Sequence, residues 1–228
     1  MKCAYPQRVN NDLIQRLPIV KFSGKIVLVE TLDGLEDALA QMKKEKLLGF
    51  DTETKPNFQR GAQNKVSILQ LAGEDTAWIF RLEPLQGNLE RLYSVLADAS
   101  VKKVGLAING DLRALTELKD FKPAGFDEIS RLTQKIGIIN TGMKNLCGAI
   151  LAERISKSSQ LSNWASPSLT QKQLDYAATD AWISRRLYKE AAKILKDGRH
   201  ALYVDTPPAM NEEPLIERFK RAFRKLFA

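Results

Sequence analysis

The chain has 228 residues, a net charge of +8 and a single histidine, His200. One histidine excludes His-rich zinc sites and argues against a Ser-His-Asp triad, so hydrolytic chemistry must rest on carboxylates and metal. No run approaches the ~20 apolar residues of a membrane-spanning helix. Met1–Pro6 lacks the apolar core of a signal peptide, and Cys3 and Cys147 form neither a disulfide framework nor zinc-ligand spacing. The expected setting is a reducing cytoplasm with no membrane partner, and the basic balance favours a polyanion such as nucleic acid.

Residues 1–22 read as a basic, proline-punctuated arm. Ser23-Gly24 turns the chain into a first strand, Lys25–Val29, and Thr31–Lys44 has helical spacing with Leu35, Ala38, Leu39 and Met42 on one face; Thr31 or Asp33 would cap it. Leu47–Thr54 is a second strand that ends in Asp51 and Glu53. Residues i and i+2 of a strand point to the same face, so the two carboxylates project together. Two like charges side by side are unfavourable unless a cation sits between them, which is the local logic of a hard-metal site made of oxygens. Two exposed acids at a strand end would look the same, so the reading depends on further acids elsewhere.

A polar loop, Lys55–Lys65, leads to strands Val66–Leu71 and Thr76–Phe80, whose short connection implies an antiparallel meander. Leu85–Ala97 is an amphipathic helix and Lys102–Ala107 another strand. Ile108–Asp111 turns the chain into a helix over Leu112–Leu118. Asp111 would then sit at the helix N-terminus, where a plain capping role explains a carboxylate equally well. Phe126–Ile129 is a short strand, and helical spacing resumes over Ser130–Ile136 and Met143–Ala152. A long helix runs from Thr170, with a capping box to Gln173, to about Lys196. Within it Tyr176 and Asp180 are four apart and share a face, which the neighbouring alanines keep accessible. Gly198 ends the helix. Leu215–Phe227 is a last amphipathic helix with an aromatic-rich stripe suited to packing on protein, including a second copy of the chain. Meander strands followed by alternating helices and strands make an α/β domain with a mixed sheet flanked by helices.

Four acids from three separated segments, Asp51, Glu53, Asp111 and Asp180, could converge on a pair of divalent ions. Two such ions ~4 Å apart activate water and stabilise a leaving oxygen in phosphodiester cleavage. Tyr176 could orient the attacking water; an unperturbed phenol, with a pKa of ~10, suits orientation better than proton removal.

The segments Phe50-Asp51-Thr52-Glu53, Ile108-Asn109-Gly110-Asp111 and Tyr176-Ala177-Ala178-Thr179-Asp180-Ala181 resemble the three motifs of the DEDDy-type 3′→5′ exonucleases, in the branch of RNase D and the Werner syndrome helicase exonuclease domain. The resemblance runs from about Phe22 to Lys196 and includes Leu161-Ser162-Asn163-Trp164 before the third motif. It implies an RNase H-like, DnaQ-like exonuclease fold, with Asp51, Glu53, Asp111 and Asp180 as ligands of two Mg²⁺ or Mn²⁺ ions and Tyr176 positioning water. It also implies backbone contacts near the terminal nucleotide around Thr52. The second motif lacks the His common just before its aspartate in RNase D-like members, which tilts the substrate slightly toward DNA. Ala152 stands where relatives commonly carry Gly, with only a local packing change expected.

The domain reading is an arm over 1–22, an exonuclease domain over 23–200, and a linker with an amphipathic helix over 201–228. His200 and Asp205 have the spacing of the DEDDh third motif, but Gly198 and Pro207-Pro208 break the helix that would present them. Arg60, Lys65, Arg113, Lys144 and Lys157 are candidate phosphate contacts, each read as an ordinary surface charge. Two alternatives stand beside the exonuclease: a catalytically inactive nucleic-acid-binding or scaffold domain, and an RNase D-like RNA 3′-end processing enzyme.

Overall fold

The computed structural model describes residues 5–56 and 64–198. Arg60, His200, Asp205 and the Leu215–Phe227 segment lie outside them. Contacts divide the described chain into two units, one of residues 21–56, 64–128 and 156–186, the other of residues 5–20, 129–155 and 187–198.

The first unit holds the sheet. Its strands are β1 (Lys25–Val29), β2 (Leu47–Thr54), β3 (Val66–Ala72), β4 (Thr76–Arg81), β5 (Lys102–Gly105) and β6 (Phe126–Glu128). They lie in the order β1-β4-β3-β2-β5-β6. β2, β3 and β4 form the expected antiparallel meander; β1, β5 and β6 join it in parallel, so the sheet is mixed. Helices α2 (Leu32–Met42), α3 (Leu89–Ala97) and α4 (Ile108–Leu118) accompany it, and α3 is preceded by a separate 3₁₀ turn at Gln86–Asn88. Thr31, not Asp33, caps α2, its hydroxyl accepting from Gly34 N–H at 3.2 Å.

Period-2 alternation sorts the strands onto two cores. Leu48 and Phe50 of β2, Leu69 and Leu71 of β3, and Trp78 and Phe80 of β4 pack with α2, α3 and α4. Ile68, Ala72, Ala77 and Ile79 face the other way, onto Ala177, Ala178 and Ala181 of a long helix that begins at Gln171. That helix, designated α7 (Gln171–Lys196), carries the Thr170–Gln173 capping box: Gln173 Oε1 accepts from Thr170 N–H at 3.0 Å and Thr170 Oγ1 from Gln173 N–H at 3.3 Å. The alanines that were expected to keep its face open are fully buried. They serve close approach: a Cβ placed on Gly49 would lie 1.8 Å from the Ala181 carbonyl oxygen.

Residues 21–22 are part of this unit and not of a free arm. Phe22 is buried in the α7-side core, its N–H donates to Thr179 Oγ1, and Lys21 pairs with Asp175 at 2.6 Å. Arg81, nearly buried, donates to the carbonyls of Ser166 (2.7 Å) and Pro167 (2.5 Å) and to Glu30 (2.6 Å), fastening the loop that precedes α7.

In the other unit, residues expected to be a plain arm contain α1 (Asn11–Arg16), capped by Asn10, with Tyr5, Val9, Ile14 and Leu17 buried. The polar and basic letters of this segment hid an apolar minority spaced to bury. The unit also has α5 (Ile129–Ile136) and α6 (Met143–Leu146), the latter running into a π turn at Cys147–Leu151 in place of one continuous helix. Ala152 ends that turn at φ 53°. The expectation of a mere packing change there fails, because a Cβ in the left-handed region is itself costly. Ala152→Gly should raise stability by about 1 kcal/mol, read as a higher urea midpoint with an unchanged slope.

Among the described residues no helix is long and apolar enough to cross a membrane.

Candidate metal centre

The site is built on the sheet face that α7 covers. Since Leu48 and Phe50 turn to the opposite core, Gly49, Asp51 and Glu53 must point to α7. The register of β2 on β3 shifts between Glu53 and Thr54. Such irregularities re-aim side chains at the ends of strands.

The outcome is a cluster: one carboxylate oxygen from each of Asp51, Glu53 and Asp180 lies within 4.8 Å of the others. Asp111 is near but outside that group. It accepts a hydrogen bond from Thr52 Oγ1 at 2.5 Å, and its charge reaches both Asp51 and Glu53. Asp111 is not a helix cap. α4 begins at Ile108, with Ala107 in the left-handed region (φ 57°) and no side-chain cap. Ala107 bends the chain out of β5, and Asp111 leaves the first turn of α4 aimed at Thr52. The strain of one left-handed Ala, about 1 kcal/mol, sits beside the site.

Burial and mutual repulsion govern the charges. Burial first, then Asp180, Glu53 and Asp111, hold the Asp51 carboxyl well above the usual range, against a 3.0 Å hydrogen bond from Thr52 N–H. Burial, Asp180 and Asp111 push Glu53 up to about 8. Burial raises Asp180 to about 7, opposed by a hydrogen bond from the Tyr176 phenol and by the Lys157 charge. Asp111 is raised by burial and restrained by Thr52. Burial, followed by the charges of Asp180 and Glu53, drives the Tyr176 phenol far above its ordinary value, so it remains a donor at any working pH. Its ring lies 5.9 Å from the buried Trp164, tilted by 41°. Trp164 belongs to the loop fastened by Arg81.

These residues fit a divalent cation. Four acids whose burial opposes their charge need a positive partner, and Asp180 Oδ1 is buried without a hydrogen-bond partner. An all-oxygen set suits Mg²⁺ or Mn²⁺.

Lys157 and the Thr52 hydroxyl are the parts that sequence reasoning undervalued. Lys157 is exposed, as a surface charge would be, and its charge reaches Asp180; it comes from an irregular loop, and no pattern in the sequence marks it. Lys144, another candidate phosphate contact, instead donates to Asn11 at 2.9 Å.

Comparison with known proteins decides the family. A profile described as 3′-5′ exonuclease matches residues 26–196. The chain belongs to the 3′-5′ exonuclease family. It is 29% identical over 205 residues to the bifunctional 3′-5′ exonuclease/ATP-dependent helicase WRN of Mus musculus, a match covering 85% of this chain and 15% of that protein. It is 28% identical over 202 residues to a 3′-5′ exonuclease of Arabidopsis thaliana, covering 80% and 67%. Among solved structures, Brucella melitensis NrnC bound to pGG superposes with a TM-score of 0.59 at 25% identity, over 90% of this chain and 95% of that one. The family is one of nuclease hydrolases, and the mixed sheet flanked by helices is RNase H-like.

Proposed function

We propose that the chain is a metal-dependent DEDDy-type exonuclease that hydrolyses phosphodiester bonds at nucleic-acid 3′ ends and releases nucleoside 5′-monophosphates. The observation that carries this reading is the convergence of Asp51, Glu53 and Asp180 within 4.8 Å inside a family of exonucleases. The four acids would hold two divalent ions, Mg²⁺ or Mn²⁺. When bound, such ions lower the pKa of a coordinated water and stabilise the leaving oxygen.

The chain's own residues do the rest. The Asp51 carboxylate is held by the Thr52 N–H and the Asp111 carboxylate by the Thr52 hydroxyl, so one residue ties two motifs together. Burial and the neighbouring acids raise the Tyr176 phenol, which suits orienting water better than removing its proton. Wedged on Trp164 and four residues before Asp180, it fixes the direction of the attacking water. Lys157 supplies positive charge where a phosphate would approach Asp180.

DNA is the first substrate reading, supported by the second motif, Ile108-Asn109-Gly110-Asp111. A second reading, short oligonucleotides of the pGG kind, is favoured by the match to NrnC over nearly the whole of that chain. The test is degradation of 5′-labelled DNA and RNA oligonucleotides of graded length, and of pGG, with Mg²⁺, Mn²⁺ or EDTA. A metal-dependent ladder shortening from the 3′ end is expected. Tyr176→Phe should lower kcat by about 10²-fold, the scale of a misplaced reacting atom, while His200→Ala stays near wild type. Absence of cleavage in every metal, with folded protein, would leave the binding-domain alternative; the reverse pattern of the two variants would overturn the role of Tyr176.

A further inference from the structure

Gln70 is the one polar residue in an otherwise apolar row of β3. It lies between Ile68 and Ala72, which face the buried alanines of α7, and it is fully buried. Neither its Oε1 nor its Nε2 has a hydrogen-bond partner. An unpaired buried amide is costly, whereas an apolar residue of the same shape would be tolerated without penalty. The sheet register states what lies across from it. Gln70 pairs directly with Asp51 on the antiparallel neighbour, so the two side chains leave the same face as a cross-strand pair.

Two charged residues stand diagonally across from Gln70, Glu53 on β2 and Arg81 on β4, and Arg81 is already engaged by Glu30 and the Ser166 and Pro167 carbonyls. On β4 the direct partner of Gln70 is Ile79, and the positions two residues away on β3 are Ile68 and Ala72. On α7 the other buried polar atoms without partners are Asp180 Oδ1 and Ser184 Oγ, one helical turn apart and flanking Ala181, whose carbonyl crosses β2 at Gly49. Asp180 Oδ1 is thus a second unsatisfied polar atom near Asp51, which stands opposite Gln70. The Asp51 carboxylate takes one hydrogen bond from Thr52 N–H and has lone pairs to spare.

We propose that Gln70 is a positioning residue for the metal-binding carboxylate of Asp51: its Nε2 donates to that carboxylate when a divalent cation is bound. This rests on the metal reading above. Carboxylates that ligate metals are themselves hydrogen-bonded, and loss of such a partner costs 10–100-fold in metal affinity or activity. A neutral donor is the suitable group here, because a lysine or arginine would compete with the cation and a carboxylate would add a further charge to be held.

The experiment is calorimetric Mn²⁺ titration of the wild-type protein and Gln70→Met, an apolar side chain of similar length, with melting of both metal-free proteins. The expected result is an Mn²⁺ affinity lowered about 10-fold or more, a metal-free Tm equal to or above wild type, and a fall in kcat with KM unchanged. An affinity within twofold of wild type overturns the proposal, whether or not the Tm changes. A wild-type protein that binds no Mn²⁺ overturns the metal reading and this proposal with it, so the two failures are distinct. Should Gln70→Met not fold, the wild-type chain decides: the side-chain ¹⁵NH₂ resonances of Gln70 must move on titration with Mg²⁺, and unmoved resonances overturn the proposal.

Discussion

Asp51→Asn should reduce exonuclease activity by about 10³-fold or more and at the same time stabilise the metal-free protein at pH 8. The two effects have one cause. Asp51 is half-buried beside Glu53, Asp111 and Asp180, and its carboxyl is held well above the usual range. Asparagine keeps the shape and the acceptor for Thr52 N–H but removes a carboxyl that the fold must desolvate beside three other acids.

The sign of the pH dependence follows from proton counting. In the unfolded chain these carboxyls titrate near 4; in the folded, metal-free chain Glu53 titrates at about 8 and Asp180 at about 7. Between those values the folded state binds more protons than the unfolded one, so stability falls as pH rises. The contribution is fully present below about pH 4 and lost by about pH 8. Thermal melts in EDTA should therefore show Tm decreasing from pH 5 to pH 8. Asp51→Asn should raise the Tm in EDTA at pH 8, and by more than it does at pH 5, because the raised Asp51 carboxyl no longer titrates. Saturating Mg²⁺ should flatten the wild-type profile, because the cation takes over the role of the protons. A wild-type Tm that rises over this range in EDTA would contradict the assigned burial of the cluster.

Gly49→Ala should be among the most damaging single substitutions. Its new Cβ would stand 1.8 Å from the Ala181 carbonyl oxygen and 3.0 Å from the Arg185 nitrogen. Both are backbone atoms of α7, so no rotamer change relieves the clash; the helix must lift from β2. We expect a loss on the order of 3 kcal/mol or more, ~6–12 °C in Tm. Because Asp180 adjoins Ala181, the displaced helix also carries its carboxylate away from Asp51 and Glu53, so activity per folded molecule should fall too. Gly87→Ala is the control. Nothing lies within 4 Å of its added methyl, and its melt should stay near wild type. An unchanged Tm for Gly49→Ala would mean that α7 does not seat on β2 through this glycine.

Much of the framework was legible in the residues themselves. The strands β1 to β4, the helix α2 with its Thr31 cap and the capping box of α7 follow from local chemistry: alternation, helical spacing, and side chains that satisfy terminal N–H groups. The shared direction of Asp51 and Glu53 and the shared face of Tyr176 and Asp180 follow from fixed backbone periods. Likeness to a family joined these segments before any contact was known.

Other features depended on what lies across space. Whether Asp111 caps its helix or joins the acids was undecidable from its own neighbours. Ala107 and Thr52, 59 residues from Asp111, resolved it. The alanines of α7 looked like an open face and are a closed one, because Gly49 stands opposite. Ala152 read as a packing detail until its backbone proved left-handed. The polar arm concealed α1, since a few buried apolar residues outweigh many solvated charges. Gln70 sits in a row of core residues and attracts no notice until the register sets it against Asp51. Sequence determined the local conformations and the inventory of acids, through forces acting over a few residues. Tertiary structure decided which acids meet, and partial burial is what makes ordinary carboxylates at that meeting point suited to a cation.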